Sequence, residues 1–337
     1  MFNFDEKRFL STQAGAVNQK DNINKVIDKV LPEIENIFFI GSGGVGILFD
    51  STVEFARTRS SFPFYRVIAA EFMDSPNKTF SDKSLVVIPS LSGTTQESLD
   101  LVDFCNQRNI KTLALVGSPD TLLENKATFT VYNDVLDDTS SESYYLQGLM
   151  VVLRIMLKKG EITQENYDSY FDDFVKLPKE LLKVKKQAEN MAGDFAEKFQ
   201  DTPYHIITGA GDSYTEAYYY GMCILEEMQW IKTRPVHAAD FFHGTLELVE
   251  KGVSVLVFEG EDFSRPIVDR VRKFLPQVTD TITVIDTKEY EMDISDATRK
   301  IISPIILATI LERVSAYLSD ARKHPLTVRR YYKRIPY

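Results

Sequence analysis

Cysteine is scarce. Two in 337 residues, Cys105 and Cys223, offer no disulfide framework and no cysteine-based metal spacing. Both fall in apolar helical patterns, and free thiols of this kind fit a reducing cytoplasm. Long hydrophobic runs are missing too: none approaches the ~18 residues a membrane span requires. The opening Met1-Phe2-Asn3-Phe4-Asp5-Glu6-Lys7 lacks the basic-then-apolar layout of a signal peptide. Positive charge is in deficit, with 39 Lys and Arg against 49 Asp and Glu and a net charge of −10. That balance repels phosphate backbones. The one dense basic run, Arg329-Arg330-Tyr331-Tyr332-Lys333-Arg334, is too short a footprint for nucleic acid. Neither a membrane nor a nucleic acid is expected as a partner. The four histidines form no metal constellation, so no metal is expected either. What remains is an ordinary globular composition, 44% apolar and 26% charged, of a length that predicts two domains.

Short β-branched runs alternate with helical stretches. Ile37 to Ile40, Tyr65 to Ala69, Ser84 to Pro89, Lys111 to Val116 and Ala127 to Tyr132 predict strands. Val45 to Arg57 and Glu97 to Arg108 carry apolar residues at three- and four-residue spacing, which predicts helices. Buried strands separated by helices imply right-handed βαβ units and an α/β fold with a largely parallel sheet. A long charged helical stretch follows, Ser143 to Lys158 and Glu165 to Lys198, with a break expected at Pro178.

From Tyr204 the alternation restarts, and the second half repeats the first. Phe39-Ile40-Gly41-Ser42-Gly43 falls on Ile207-Thr208-Gly209-Ala210-Gly211, and Val67 to Phe72 on Val236 to Phe241. Leu85 to Ser90 falls on Ser254 to Glu259, and the strand at Lys111 on one near Thr281. Four matches in register argue for two copies of one α/β domain. The expected organisation is a helical lead-in over 1–35, a first domain over 36–160, a helical connector over 161–200, a second domain over 201–325 and a tail over 326–337.

The two copies differ where ligands bind. In the first, the third strand runs through Ser90-Leu91-Ser92-Gly93-Thr94-Thr95 into a helix. Free N–H groups and the positive end of the helix dipole favour a phosphate there, and Gly93 lets the backbone approach closely. Ser42, in the first strand-to-helix turn, can project into the same crevice. N-capping accounts for one or two of these hydroxyls, not for four in six residues. The second copy carries Glu259-Gly260-Glu261-Asp262 at the equivalent place, where carboxylates repel phosphate. One phosphate pocket per chain is the expectation. Gly41, Gly43 and Gly46 also meet a dinucleotide-binding spacing, with Glu71 as a distant acidic candidate. The hydroxyl-rich second loop argues against that reading, and no cofactor is expected.

Acid–base chemistry then rests on carboxylates and histidines. His205 lies in a buried strand, His237 replaces the first copy's Ile68, and His324 precedes Pro325. His243 sits in Asp240-Phe241-Phe242-His243-Gly244, a strand-to-helix junction where side chains meet ligands. Glu226 and Glu227 interrupt an apolar helix from Tyr218 to Met228. Adjacent carboxylates diverge by about 100° on a helix, and residue chemistry alone does not choose between a solvated rim and a cleft.

Taken together, the Gly-Ser turn, the Ser-x-Ser-Gly-x-Thr element and the late Phe-His-Gly resemble the sugar isomerase (SIS) domain family over nearly the whole chain. The segment from Glu227-Met228-Gln229-Trp230 to Glu250, and the ending Arg329-Arg330-Tyr331-Tyr332, are closest to the fructosamine-6-phosphate deglycases. They are related to the isomerase half of glucosamine-6-phosphate synthase. The resemblance implies two tandem SIS-type domains. It implies phosphate binding by Ser42, Ser90, Ser92 and Thr95 with the backbone of Leu91, Gly93 and Thr94. It also implies that the catalytic glutamate precedes the histidine by sixteen residues, which selects Glu227. Glu227 would move a proton between C1 and C2, and His243 would open the sugar ring, in a homodimer often that of the neighbouring subunit. The family's Pro after His-Gly is Thr245 here. The synthase's glutaminase domain is not expected, because Phe2 rather than a cysteine follows Met1, and its Schiff-base lysine has no clear counterpart other than Lys333.

The implied reaction is cleavage of a 6-phosphorylated fructosyl-amino acid to glucose 6-phosphate and free amine. The alternatives are a glucosylamine-6-phosphate deglycase, an amino-sugar-phosphate isomerase or deaminase, and a non-catalytic sugar-phosphate sensor. The last is disfavoured because about 35 residues before the first strand leave no room for a DNA-binding domain.

Overall fold

A computed structural model describes residues 1–133, 141–332, 334 and 335. Lys333 and the stretch 134–140 lie outside the described residues. The chain divides into two compact units, Glu6–Lys179 and Met1–Asp5 with Glu180–Tyr337.

The first unit contains α1 (Glu6–Val17), α2 (Lys20–Val30), β1 (Asn36–Ile40), α3 (Gly43–Arg59), β2 (Phe64–Val67), α4 (Ala69–Asp74) and β3 (Ser84–Ser90). It continues through α5 (Gln96–Asn106), β4 (Lys111–Val116), α6 (Leu122–Lys126), β5 (Phe129–Tyr132) and α7 (Glu142–Lys158). Its sheet is parallel throughout, in the order β2-β1-β3-β4-β5. Ile37 to Ile40 and Leu85 to Ile88 are wholly buried, as a parallel sheet covered on both faces demands.

After the long helix α8 (Gln164–Phe199), the second unit runs through β6 (Tyr204–Gly209), α9 (Asp212–Tyr219), a π-helical stretch (Tyr220–Glu226) and α10 (Glu227–Gln229). Then come β7 (Lys232–His237), β8 (Ser254–Glu259), α11 (Arg265–Phe274), β9 (Ile282–Asp286), α12 (Asp296–Arg299) and α13 (Ser303–Ala321). Its parallel sheet, β7-β6-β8-β9, repeats the order of the first four strands of the other sheet. The fold is thus two parallel α/β sheets flanked by helices.

Two elements differ from their sequence expectation. The strand read from Tyr65 to Ala69 ends at Val67, which pairs with Ile40, the last residue of β1. With no neighbour beyond that point, the chain turns into α4, which buries Phe72 edge-on against Phe80. The expected break at Pro178 does not occur, because α8 continues through it. An interior proline costs about 3 kcal/mol. Phe174, Leu177 and Leu181, each at most 1% exposed, flank it, and each buried side chain of that size returns about 1.5–3 kcal/mol.

The lone core histidine behaves as expected. His205 is fully buried, its Nδ1 2.8 Å from Ser254 Oγ on the neighbouring strand. Burial, reinforced by the Arg322 charge, pushes its pKa down to about 4. Cys105 is likewise inert, with burial pushing its thiol up to about 12. Among the described residues no helix is long and apolar enough to cross a membrane.

The second unit holds a buried charge cluster. Glu312 accepts from Lys185 Nζ at 2.6 Å and from both Arg313 Nε (2.7 Å) and Nη2 (2.6 Å). Arg313, 0% exposed, also reaches the Phe2 carbonyl, which secures the N-terminal residues. Burial alone would raise the Glu312 pKa, but the two cations outweigh it and pull the carboxyl down to about 2. The stabilisation is therefore intact above the ordinary value of 4.5 and is lost as pH falls toward 2. Glu312→Gln removes the carboxylate that Lys185 and Arg313 share, leaving Arg313 with Glu189 at 3.2 Å, and should cost about 3–5 kcal/mol in urea unfolding at pH 7. The deficit should shrink as the pH is lowered toward 2, since the wild type then loses the same charge.

Candidate active site

In the first unit the strand order places β1 beside β3, while their following helices lie on opposite faces of the sheet. This is the switch point at which open α/β sheets bind ligands. Ser42 is the N-cap residue of α3 and Thr95 that of α5, both in extended backbone geometry, and neither side chain makes a capping bond. Their hydroxyls are thus not consumed by the helices they precede. Ser90, buried at the end of β3, accepts from the Gly93 N–H at 3.1 Å. Ser92 accepts from the Thr94 N–H at 3.3 Å and from its hydroxyl at 3.0 Å. The Gly93 and Thr94 amides are therefore engaged within the loop, whose shape they hold. Gly93 has φ +62, and a Cβ there would lie 2.4 Å from Thr121. Its carbonyl accepts from Leu123 N–H at 3.1 Å, so the loop rests on the start of α6. Ser42, Ser90, Leu91, Ser92, Gly93, Thr94 and Thr95 all lie at this one end of the sheet.

The second unit treats the equivalent crevice differently. Asp262, following β8, accepts from the Asp212 N–H at 3.0 Å, and so places a carboxylate on the N-terminus of α9. Its other oxygen accepts from Ser264 N–H at 2.7 Å. Glu261 pairs with Arg299 at 2.6 Å. Glu259, wholly buried, lies 3.0 Å from Arg265 and 2.9 Å from Arg272. Burial, the hydrogen bond to Asp269 and the Asp286 charge raise its pKa. The position an external anion would take is filled by the chain's own carboxylates, each neutralised locally.

Glu226 and Glu227 stand where the π-helical stretch passes into α10, an irregularity often found at functional sites. Glu226 accepts from the Thr233 N–H (3.2 Å) and hydroxyl (2.6 Å), which ties it to β7. Glu227 instead accepts from Arg329 Nε at 2.7 Å, with Arg329 only 11% exposed. Both carboxylates line a cavity of about 560 Å³ together with Trp230, Lys232 and the tail residues Arg329 to Tyr332. His243 does not line this cavity. It is the exposed last residue of a 3-10 turn, Phe241–His243, whose Phe241 is buried, just before Gly244 at φ 144. His237 packs edge-on against Tyr214 at 5.2 Å, and His324 against Trp230 at 4.4 Å. Glu71 lies exposed in the first turn of α4 rather than at a strand end.

Residues 31–157 match the SIS domain. That match spans less than half of the chain and lies within the first unit. The fructosamine deglycase FrlB of Bacillus subtilis is 27% identical over 308 residues, 90% of this chain and 93% of the relative. The fructoselysine 6-phosphate deglycase of Escherichia coli is 26% identical, covering 91% and 88%. The C-terminal domain of glucosamine-fructose-6-phosphate aminotransferase from Francisella tularensis superposes with a TM-score of 0.82 at 14% identity, over 95% of this chain and 97% of that one. At that identity the likeness is one of fold.

Sequence reasoning missed the partner of Glu227. Arg329 belongs to the conspicuous Arg-Arg-Tyr-Tyr run near the end of the chain, which was the available signal. Among the described residues no group of three or more His, Cys, Asp or Glu could hold a metal. The SIS loop itself yields a test. Gly93→Ala forces a left-handed backbone on an L-residue, costing about 1–2 kcal/mol, and drives a methyl group into Thr121. Glucose 6-phosphate should raise the melting temperature of the wild type and not that of the variant. Equal shifts in both would place the anion elsewhere.

Proposed function

We propose that this protein is a sugar-phosphate deglycase that cleaves a 6-phosphorylated fructosyl-amino acid to glucose 6-phosphate and the free amine. One observation carries the reading: of two equivalent switch points, only the first leaves hydroxyls open at its helix N-termini, while the second is filled by Asp262. A single anionic substrate group per chain fits that asymmetry. The fructosamine deglycases that match along most of the chain supply the reaction class.

In this reading the hydroxyls of Ser42, Ser90, Ser92 and Thr95, with the backbone of Leu91, hold the phosphate, and the Gly93 and Thr94 amides keep the loop in shape through Ser90 and Ser92. That remote binding energy orients the sugar. His243 assists ring opening; its exposure on a surface turn suits action on a neighbouring subunit's sugar in a homodimer. Glu227 removes a proton from C1 of the ketoamine to give an enaminol and returns a proton to C2. The C1 imine that results is hydrolysed by water, breaking the C–N bond. No electron acceptor is needed, because the proton shift moves oxidation level from C2 to C1 within the substrate.

Glucose 6-phosphate release from phosphorylated fructosyl-amino acids tests the reading directly. Glu227→Gln and His243→Ala should each lower kcat by about 10²–10⁴-fold, the usual contribution of a positioned acid or base. Ser92→Ala with Thr95→Ala should instead raise KM, about tenfold or more for each charge-assisted hydrogen bond lost. Full activity in both the Glu227 and His243 variants would reject the mechanism.

A further inference from the structure

The cavity beside Glu227 has a composition that proton transfer alone does not require. Trp230 takes a left-handed conformation, φ 57, at the end of α10, which turns its indole outward to 39% exposure. The Arg330 guanidinium lies over that ring at 4.2 Å. Such a stack holds the cation through the ring face and leaves its N–H fork available in the plane. Among the described residues Arg330 forms no ion pair or hydrogen bond, and Lys232, exposed at the start of β7, forms no ion pair. Glu226 and Glu227, by contrast, are engaged by Thr233 and Arg329. The cavity therefore offers two uncommitted cations beside two partnered carboxylates.

We propose that this cavity is the subsite for the amine half of the substrate, and that it selects amines carrying a carboxylate. The inference rests on Glu227 being the base, since the cavity is defined by that residue. A planar carboxylate matches the fork of Arg330 in bidentate fashion, with Lys232 as a second point charge. A phosphate dianion fits less well, because Glu226 and Glu227 line the same space and repel the extra charge. The same two carboxylates favour the protonated nitrogen of a glycated amino acid. An N-substituted amino acid is thus complementary at both ends, whereas a neutral amine or amide leaves the cations without a partner.

The test compares 6-phosphofructosyl-glycine with 6-phosphofructosyl-glycinamide, which differ by one charge at nearly equal size. The wild type should favour the glycine compound by about 10- to 100-fold in kcat/KM, the range for a charge-assisted hydrogen bond. Arg330→Gln should collapse that ratio to within about threefold, and Lys232→Gln should reduce it. Both substitutions are on exposed side chains, so folding is not at stake. Equal turnover of the two compounds by the wild type, or a ratio that survives Arg330→Gln, overturns the carboxylate subsite and leaves the deglycase reading standing. Cleavage of neither compound overturns both.

Discussion

The positive ends of two helices meet at one edge of each sheet, and what neutralises them determines what each half of the chain can do. A parallel order with the first strand beside the third sends its two following helices to opposite faces and opens both N-termini into one crevice. Unsatisfied N–H groups there demand negative charge from within or from outside. The second unit answers from within. Asp262 sits on the start of α9, and Arg265, Arg272 and Arg299 neutralise the neighbouring Glu259 and Glu261. In the first unit the loop bonds are internal and neutral, Gly93 to Ser90 and Thr94 to Ser92, which preserves shape without supplying charge. The same architecture is thus kept twice, once with hydroxyls left open at its helix N-termini and once as a closed structural joint.

The second unit gains something in exchange. Its π-helical stretch and the left-handed Trp230 set Glu226 and Glu227 in different surroundings only one residue apart. Glu226 is bound to β7 through Thr233, so its direction follows the sheet. Glu227 is bound to Arg329, so its direction follows the tail. Arg329 is itself held by the carbonyls of Leu326 and Val328. The orientation of the candidate base therefore depends on a segment some hundred residues away in the chain.

Much of the fold was legible because burial on both faces of a parallel sheet forces continuous β-branched runs, as at Ile37 to Ile40 and Leu85 to Ile88. The repeat was legible because the same strand-turn-helix joints recur at Gly41 and Gly209. Tyr65 to Ala69 misled because apolar residues continue past the last ladder partner, and only the end of β1 stops the strand. Pro178 misled because its local cost is real but smaller than the burial gained on either side of it. Spacing to His243 selected Glu227 by resemblance, whereas the hydrogen bonds distinguish the two glutamates by what holds each one.

Residue order alone determined the duplication, the parallel α/β class and the asymmetry of hydroxyls in one loop against carboxylates in the other. These depend on side-chain type and local spacing, which are properties of short stretches of chain. Only the tertiary structure decided that Asp262 lands on the Asp212 amide, that Arg329 reaches Glu227 and that Arg330 stacks on Trp230. Each of those contacts joins residues far apart in sequence, and an ion pair or a ring contact forms only when folding has brought both partners within a few ångströms.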